Sequence, residues 1–142
     1  MAPAMDVLTD VREIDDLLIR YATALDTRDW ALLATCFVPD SIATFGTFGE
    51  FRTVEAIVEA LRKWLEPLDA TQHLIANVAA EIDGDSARSR CYVVAQHVRN
   101  GQQFTLGGTY VDVHRRTPDG WLIVSRRLDV TWTQGDPAVV IR

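Results

Sequence analysis

The hydrophobic and polar positions of the first 25 residues repeat with the spacing of an amphipathic helix. Between residues 6 and 25 the apolar positions recur every three or four residues, which places them along one side of an α-helix. The positions of this stripe are Val7, Val11, Ile14, Leu17, Leu18, Tyr21, Ala24 and Leu25. Asp26 follows at the end of the predicted helix, next to the stripe. If it faces inward, its carboxylate needs a partner, and otherwise it caps the next helix or lies in solvent.

Two further helices and a hairpin are predicted before Pro67. Asp29 is placed to cap a short helix over 30–37, which Pro39 and Asp40 end. Thr53 is placed to cap a third helix, in which apolar residues again recur at helical spacing up to residue 65. Between these two helices, residues 41–45 and 49–51 are expected to pair as a small hairpin around a turn at 46–49.

From residue 71 onward the period changes to two, which is typical of β-strands. Four long strands are predicted over 71–82, 87–99, 104–115 and 121–132, joined by tight turns. Gly107 and Gly108 interrupt the third long strand and allow the sheet to bend. Helices followed by a meander predict one α+β domain over 1–142, with a curled mixed, mainly antiparallel sheet wrapped as a cone around three N-terminal helices. The open end of such a cone is a usual place for a small apolar ligand.

The alternation also assigns side chains to the two faces of each strand. In the first long strand, Leu74, Ala76 and Val78 fall on one face. His73 and Asn77 fall on the other face, which we expect to point inward. In the last strand, Arg127, Asp129 and Thr131 share a face, while Arg126 and Leu128 share the opposite face, and either of these faces can be the inner one.

Composition narrows the possible partners. The chain is 48% hydrophobic and carries a formal net charge of −6, which argues against a surface for nucleic acid or anionic membranes. No apolar run approaches the roughly 20 residues that span a bilayer, and no targeting segment is evident. Cys36 and Cys91 have no metal or redox spacing, so we expect free thiols in a reducing cytoplasm. Valines on the outer face of the sheet predict a homodimer or homotrimer; they are Val94, Val111, Val124 and Val130.

His73 is the first candidate for chemistry, because a neutral imidazole accepts a proton well when a carboxylate holds its other nitrogen. Asp26 is expected close to it. A single histidine at the start of a strand is more often a structural residue, so the interpretation depends on this pairing. His97, in a mostly apolar strand, is either a core residue or a pocket residue, and His114 is expected at a solvated strand end without a role.

Three further positions have two interpretations each. Tyr21 either donates its hydroxyl to the pocket or fills the core. The row of Arg127, Asp129 and Thr131 either offers donors to the cavity or forms a solvent-facing ladder of ion pairs. The sequence contains no metal-ligand spacing, phosphate loop, dinucleotide motif or nucleophile elbow. Chemistry in this chain is therefore expected to be acid–base work without a cofactor, or absent.

A set of short motifs is similar to a known family. The motifs are Tyr21 and Asp26 with four residues between them, Asp29-Trp30, Phe37-x-Pro-Asp40, Gln72-His73-x-x-x-Asn77, Gly107-Gly108-x-Tyr110-x-Asp112, Gly120-Trp121 and Arg126-Arg127. Together they resemble the SnoaL-like branch of the nuclear transport factor two-like superfamily, and within it the scytalone dehydratase, bile-acid dehydratase and lindane dehydrochlorinase type.

The resemblance implies roles for individual residues. It implies that His73 is the base, that Asp26 orients it, that Arg127 lines the pocket and that His97 is a second pocket histidine. One departure concerns the early hairpin, where some of these dehydratases carry a tyrosine and this chain has phenylalanines, namely Phe45, Phe48 and Phe51.

These observations lead to three functional hypotheses. The first is a cofactor-independent lyase, dehydratase or isomerase that uses Asp26 and His73 on a small, largely apolar cyclic or polyketide-like substrate. Tyr21, Asn77, His97, Arg127, Asp129 and Thr131 would line the substrate site. The second is a non-catalytic ligand-binding or assembly domain with the same cone. The third is a polyketide cyclase that uses an acid alone, which would leave His73 dispensable.

Overall fold

The computed structural model describes residues 4–142, which form three helices and a six-stranded sheet. The helices are α1 (Ala4–Thr27), α2 (Trp30–Ala34) and α3 (Val54–Leu65). The strands are β1 (Phe37–Phe45), β2 (Glu50–Arg52), β3 (Ala70–Asp83), β4 (Ser86–Arg99), β5 (Gln102–Thr117) and β6 (Gly120–Gly135). The predicted α+β architecture with three N-terminal helices is confirmed. None of the helices within residues 4–142 is long and apolar enough to cross a bilayer.

The strands form one curled sheet in the order β2-β1-β6-β5-β4-β3, which does not close into a barrel. Tight turns join β3, β4, β5 and β6 in succession, and each strand of this series pairs antiparallel with the next, as the alternating pattern predicts. Only β1 pairs parallel to its neighbour β6, so the sheet is mixed. Helix α1 packs along β3, and α3 packs on β1, so the helices cover the concave side of the sheet. The predicted hairpin of β1 and β2 is also present.

The second helix is shorter than predicted, and the chain after it is already part of the sheet. Asp29 caps α2 by accepting a hydrogen bond from the Leu32 amide at 3.0 Å. The helix ends at Ala34, and β1 begins at Phe37, so Pro39 lies within a strand instead of ending a helix. The pairing of β1 with β6 shifts register between Phe37 and Ile42. Proline is tolerated at such an irregularity because it has no N–H to offer a regular ladder.

A bulge in β3 changes which side chains face inward. The register with β4 shifts between Ala76 and Ala79, and Asn77 adopts a left-handed backbone with φ of 54°. Before the bulge the predicted faces hold, since Leu74 is 54% exposed and His73 points inward. Beyond the bulge, the even-numbered side chains face inward in place of the odd-numbered ones, so that Ala80 and Ile82 pack on the core. Asn77 itself is exposed, and its predicted place beside His73 is therefore wrong.

A second irregularity lies at Gly107 and Gly108, where the sequence predicts a bend. The β5–β6 register shifts between these two glycines, and Thr131 is the additional residue on β6. The Thr131 hydroxyl donates to the Gly107 carbonyl at 3.1 Å. A Cβ on Gly108 would overlap the backbone oxygen of Asp129, so the close approach of the two strands requires glycine.

The sheet and helices enclose one apolar core that also contains His114. This histidine is fully buried, with Nε2 2.7 Å from the Ser89 hydroxyl oxygen. Its predicted place at a solvated strand end is wrong, because β5 continues beyond it to Thr117 and its side chain is fully buried. The two thiols, Cys36 and Cys91, are free and buried, as expected.

Candidate active site

An apolar pocket lies between the helices and the concave side of the sheet. Its volume is about 50 Å³, and its wall is mostly aliphatic and aromatic. Leu25 of α1, Leu61 and Leu65 of α3 and Leu106 of β5 contribute to this wall. Among these apolar groups lie the ring nitrogens of two histidines, and tyrosine side chains form another part of the wall. The pocket is thus an apolar cavity lined by a small number of polar groups, which is typical of small-molecule sites.

The structure brings Asp26 and His73 into direct contact at the edge of this pocket. His73 Nδ1 lies 2.7 Å from Asp26 Oδ1, and the His73 backbone amide donates to Oδ2 at 2.9 Å. The Thr71 hydroxyl donates to Oδ1 at 3.0 Å. Asp26 reaches β3 because it ends α1, which packs along that strand. Two donors of the strand therefore fix the carboxylate, and the carboxylate in turn fixes the imidazole.

The electrostatics of the pair determine its tautomer. Burial acts to raise the pKa of the Asp26 carboxyl, but the hydrogen bonds from His73 and Thr71 outweigh it, and the pKa is lowered. The ionised carboxylate can only accept, so His73 Nδ1 carries the hydrogen. His73 Nε2 then has a free lone pair, and no group within residues 4–142 hydrogen-bonds to it. The His73 side chain is 5% exposed and lines the pocket, so this lone pair is available as a base to a bound molecule.

His97 faces the same pocket with a fixed tautomer. Its Nδ1 lies 2.9 Å from the Phe104 carbonyl oxygen, which can only accept, so Nδ1 carries the hydrogen and Nε2 is an acceptor. Burial lowers the pKa of His97 to about 4, which keeps the ring neutral. The His73 and His97 rings meet edge to face with centroids 5.9 Å apart. Of the two interpretations of His97, the pocket residue is correct.

Two tyrosines line another part of the pocket wall, and a buried arginine lies against both of their rings. Tyr21 and Tyr110 both line the pocket, and their rings meet edge to face with centroids 5.8 Å apart. Behind them, Arg126 forms a fully buried ion pair with Asp112, with 2.8 Å between Nε and Oδ1. Burial raises the pKa of Tyr21, and it raises that of Tyr110 well above the usual value, so both hydroxyls stay protonated.

Several predicted site residues lie elsewhere. Arg127 and Asp129 pair with each other at 2.9 Å on the outer face of β6, with side chains 58% and 49% exposed. The expectation that they line the pocket is wrong, because the inward face of β6 is the one that carries Arg126 and Leu128. Thr131 is exposed at the β6 bulge and bonds to the backbone, so it does not line the pocket either.

The structure adds pocket residues that the sequence did not identify. Trp64 of α3 packs edge to face on Phe45 and tilted against Phe48, and all three side chains line the pocket. Val140 and Ile141 cover it from the C-terminal end of the chain. The run of phenylalanines between 45 and 51 was a signal for an aromatic wall, whereas residues 140 and 141 show no periodicity that would place them. No group of three or more His, Cys, Asp or Glu side chains in the described part of the chain has an arrangement suited to a metal ion.

The mixed sheet curled around three helices, with an Asp–His contact at the edge of an apolar pocket, defines a class of α+β cone proteins, and comparison with known proteins identifies the family. The profile of the SnoaL-like domain matches residues 6–127. The chain therefore belongs to the SnoaL-like domain family, and the predicted resemblance is confirmed.

Individual relatives include a fungal protein and a mycobacterial protein. The chain is 33% identical to terrestric acid biosynthesis cluster protein E of Penicillium crustosum, over 97% of both chains. It is 30% identical to an uncharacterized protein of Mycobacterium tuberculosis, over 84% of both chains. Among solved structures, a hexachlorocyclohexane dehydrochlorinase from Novosphingobium barchaimii matches with a TM-score of 0.84, 17% identity and 94% of both chains covered. This last likeness shows a common fold.

Proposed function

We propose that this chain is a cofactor-independent lyase of the dehydratase type, or an isomerase, in which His73 removes a proton from a small and largely apolar cyclic substrate. The observation that carries the proposal is the 2.7 Å contact of His73 Nδ1 with Asp26 Oδ1, which leaves His73 Nε2 free at the pocket. Asp26 orients the ring and stabilises the imidazolium that forms when Nε2 takes a proton. General-base catalysis of this kind contributes roughly 10²- to 10⁴-fold to a rate.

The reaction can be written with the groups that line the pocket. His73 Nε2 takes the proton from a carbon next to a carbonyl group, and the electron pair of the broken C–H bond forms an enolate. The enolate then re-forms the carbonyl and expels a hydroxyl group from the neighbouring carbon, and the His73 imidazolium returns its proton to that oxygen, so that water leaves. For an isomerase, the imidazolium returns the proton to another carbon.

His97 has a different task in this scheme. Because its Nδ1 hydrogen is committed to the Phe104 carbonyl, Nε2 can accept a hydrogen bond and cannot supply a proton. It would therefore hold a hydroxyl group of the substrate as an acceptor. A carbonyl compound that carries a hydroxyl group fits both histidines, and a polyketide-like ring has both groups.

The relatives support a small-molecule substrate. The fungal relative is named for a biosynthesis cluster, which favours a metabolite over a macromolecule. The structural neighbour is named a dehydrochlorinase, so an enzyme that catalyses elimination can have this fold.

The volume of the pocket bears on how a substrate enters. Sites for drug-sized ligands are about 300–1,000 Å³, and this pocket is about 50 Å³. A cyclic substrate that enters it must therefore push apart the aromatic side chains of its wall.

The general base can be tested without knowing the natural substrate, because proton removal next to a carbonyl exchanges hydrogen for deuterium in D₂O. We would incubate the protein with 1-tetralone, 2-tetralone and 3-hydroxycyclohexanone, and measure exchange and water loss by NMR. His73→Ala and Asp26→Asn are each expected to lower the exchange rate by about 10²- to 10⁴-fold. The double variant should be little worse than either single variant, because the two residues act as one unit.

Circular dichroism of each variant would show that the fold is intact. Near-native exchange by His73→Ala, or losses that multiply independently, would reject the dyad and favour the acid-only cyclase. If the wild-type protein binds these rings, as reported by the fluorescence of Trp64 against a Trp64→Phe control, but neither exchanges nor eliminates, the ligand-binding domain replaces the enzyme.

A further inference from the structure

The short turn between β1 and β2 places an aromatic side chain in the wall of the pocket. This turn is a single 3₁₀ turn over Gly46–Phe48, and the Phe48 ring lines the pocket. Most of the other lining residues are buried. Phe48, by contrast, is half-buried, and none of the three residues of the turn is buried. The turn is therefore a part of the pocket wall that is in contact with solvent.

Few contacts hold the Phe48 ring in place. Among the described residues, the one ring that it meets is the indole of Trp64, with the centroids 6.1 Å apart. Phe45 and Phe51 pack on the same indole, with centroids 5.8 Å and 5.5 Å away, but both of these residues belong to strands. The indole therefore keeps two supports from the sheet if the Phe48 ring moves away.

Two glycines with a positive φ lie at the ends of the turn. The angle φ is 56° at Gly46 and 129° at Gly49. The Phe45 amide donates to the Gly49 carbonyl at 2.9 Å, which closes the base of the turn. Glycine adopts positive and negative φ about equally readily, so it can absorb a change of backbone direction. The tip of the turn, which carries Phe48, can therefore move while its base stays fixed.

The volume of the pocket requires that part of its wall moves. An apolar cavity of about 150 Å³ is large enough to bind benzene, and this pocket is about 50 Å³. Buried lining side chains of the helices and the sheet cannot yield without disturbing the core, because protein interiors are close-packed. Phe48 is the aromatic side chain of the wall that can leave with the least disturbance, because it is half-buried and its turn ends in glycines.

We propose that Phe48 is the gate of the pocket and determines which ring systems the pocket accepts. The turn moves outward, the Phe48 ring leaves the Trp64 indole, and a flat ring of the ligand takes its place there. Because one aromatic contact replaces another, the bound ligand restores most of the interaction that is lost on opening. The inference rests on the proposed function only in taking this pocket as the substrate site. It defines the ligand class as ketones in which a flat ring is fused to the ring that reacts.

Two ketones test the specificity. In 2-tetralone a flat aromatic ring is fused to a cyclohexanone ring, and cyclohexanone itself lacks that flat ring. Equilibrium dialysis measures the affinity of each ketone without a tryptophan signal. An aromatic pair contributes roughly 2- to 10-fold to a binding constant, and opening the turn adds to this. Phe48→Ala should therefore raise the affinity for 2-tetralone by about tenfold, and that for cyclohexanone by less than about threefold.

Phe51→Ala is the matched control, because Phe51 packs on the same indole but does not line the pocket. It should leave the ratio of the two affinities within about twofold of the wild-type ratio. Phe48→Leu should give an intermediate ratio, and it is the second variant if Phe48→Ala fails to fold by circular dichroism. Asp26→Asn should lose deuterium exchange and keep the wild-type ratio, so a failure of the general base and a failure of the gate give different results.

Stopped-flow kinetics test the motion itself. If the turn must open for 2-tetralone to bind, the observed binding rate levels off as the ligand concentration increases, because opening becomes the slow step. The fluorescence of Trp64 reports this rate, and the signal should disappear in Trp64→Phe. Phe48→Ala should remove the plateau, whereas Phe51→Ala should keep it.

Three outcomes would overturn the proposal. A folded Phe48→Ala variant with the wild-type ratio of affinities would show that this ring does not select ligands. An equal change of the ratio in Phe51→Ala would assign the effect to a loosened Trp64. A wild-type binding rate that rises linearly and matches that of Phe48→Ala, or no binding of 2-tetralone at millimolar concentration, would show that the turn does not control entry.

Discussion

His97 and His114 are both buried as neutral rings, and this makes the stability of the fold sensitive to acid. Burial lowers the pKa of each to about 4, against about 6.5 in an unfolded chain. At a pH between these two pKa values, each histidine is protonated in the unfolded state and neutral in the folded state. The stability is therefore complete above about pH 7 and falls as the pH decreases from about 6.5 towards 4.

The expected size of this effect is about 2 kcal/mol for each histidine at pH 5. Urea unfolding of the wild-type protein at pH 7.5 and pH 5.0 measures it. His97→Phe and His114→Leu should each remove about half of the difference between the two pH values, whatever they do to stability at pH 7.5. Equal unfolding free energies of the wild-type protein at both pH values would contradict the prediction.

Arg127 provides a second prediction at the scale of single residues. Its side chain is exposed and pairs with Asp129, and exposed ion pairs contribute about 0–1 kcal/mol. Arg127→Ala should therefore change the deuterium exchange rate of a ketone substrate by no more than about twofold. A loss of tenfold or more in the NMR assay would mean that the guanidinium does reach the substrate, as the family resemblance implies.

The contrast between Arg126 and Arg127 shows how far the sequence defines the site. The contact of Asp26 with His73 was predictable, because one residue ends a helix and the other opens the strand beside it. The inward face of β6 was not predictable, because alternation gives two faces and both carry an arginine. Packing decides which face of β6 points inward, because Asp112 lies opposite Arg126 in β5 and pairs with it inside the core.

At the scale of elements, the β5–β6 bulge leads to a prediction about two adjacent glycines. A Cβ on Gly107 would overlap the ring of Trp132, whose side chain is half exposed and can rotate away. A Cβ on Gly108 would overlap the Asp129 carbonyl oxygen, which is fixed in the strand ladder. Gly108→Ala should lower the free energy of unfolding by roughly 1–3 kcal/mol, and Gly107→Ala should lower it clearly less.

Denaturant unfolding of the two variants compares them directly, since the same substitution is made one position apart. If both variants lose the same unfolding free energy, or if Gly107→Ala loses more, the close approach of the Asp129 backbone does not determine the need for glycine at position 108. The pair of glycines was visible in the sequence and predicted a bend. Which glycine touches backbone and which touches a side chain depends on the register, which the sequence does not display.

The bulge at Asn77 shows a limit of periodic patterns at the element scale. Alternation assumes that every residue advances the strand by one step, and an inserted residue reverses all faces beyond it. Asn77 tolerates the left-handed backbone of the bulge better than most residues, and Asn is enriched there. A polar residue in the middle of a predicted strand was the signal, and it was interpreted as a pocket residue.

At the scale of the whole molecule, an apolar row crosses the outer face of the sheet. Leu74 pairs with Val94, Val94 pairs with Gly107, and Gly107 pairs with Trp132, so these four positions of β3 to β6 lie side by side. The Trp132 ring lies over Gly107, and Leu74 and Trp132 are about half exposed. The valine positions predicted from the sequence include one member of this row. Large apolar side chains next to each other on a surface are typical of interaction sites.

We therefore expect the protein to self-associate through this row, as a dimer or trimer. Trp132→Glu places a charge at its exposed end, and a buried unpaired carboxylate at an interface is costly, so this variant should sediment as a monomer at micromolar concentration. Leu8→Glu is the matched control, because Leu8 is 64% exposed near the start of α1, about 16 Å along the helix from Ile19, which lines the same surface pocket as Leu74. This control should leave the sedimentation unchanged. Sedimentation of the wild-type protein as a monomer at tens of micromolar would contradict the prediction, and dissociation by Leu8→Glu alone would move the interface from the sheet to α1.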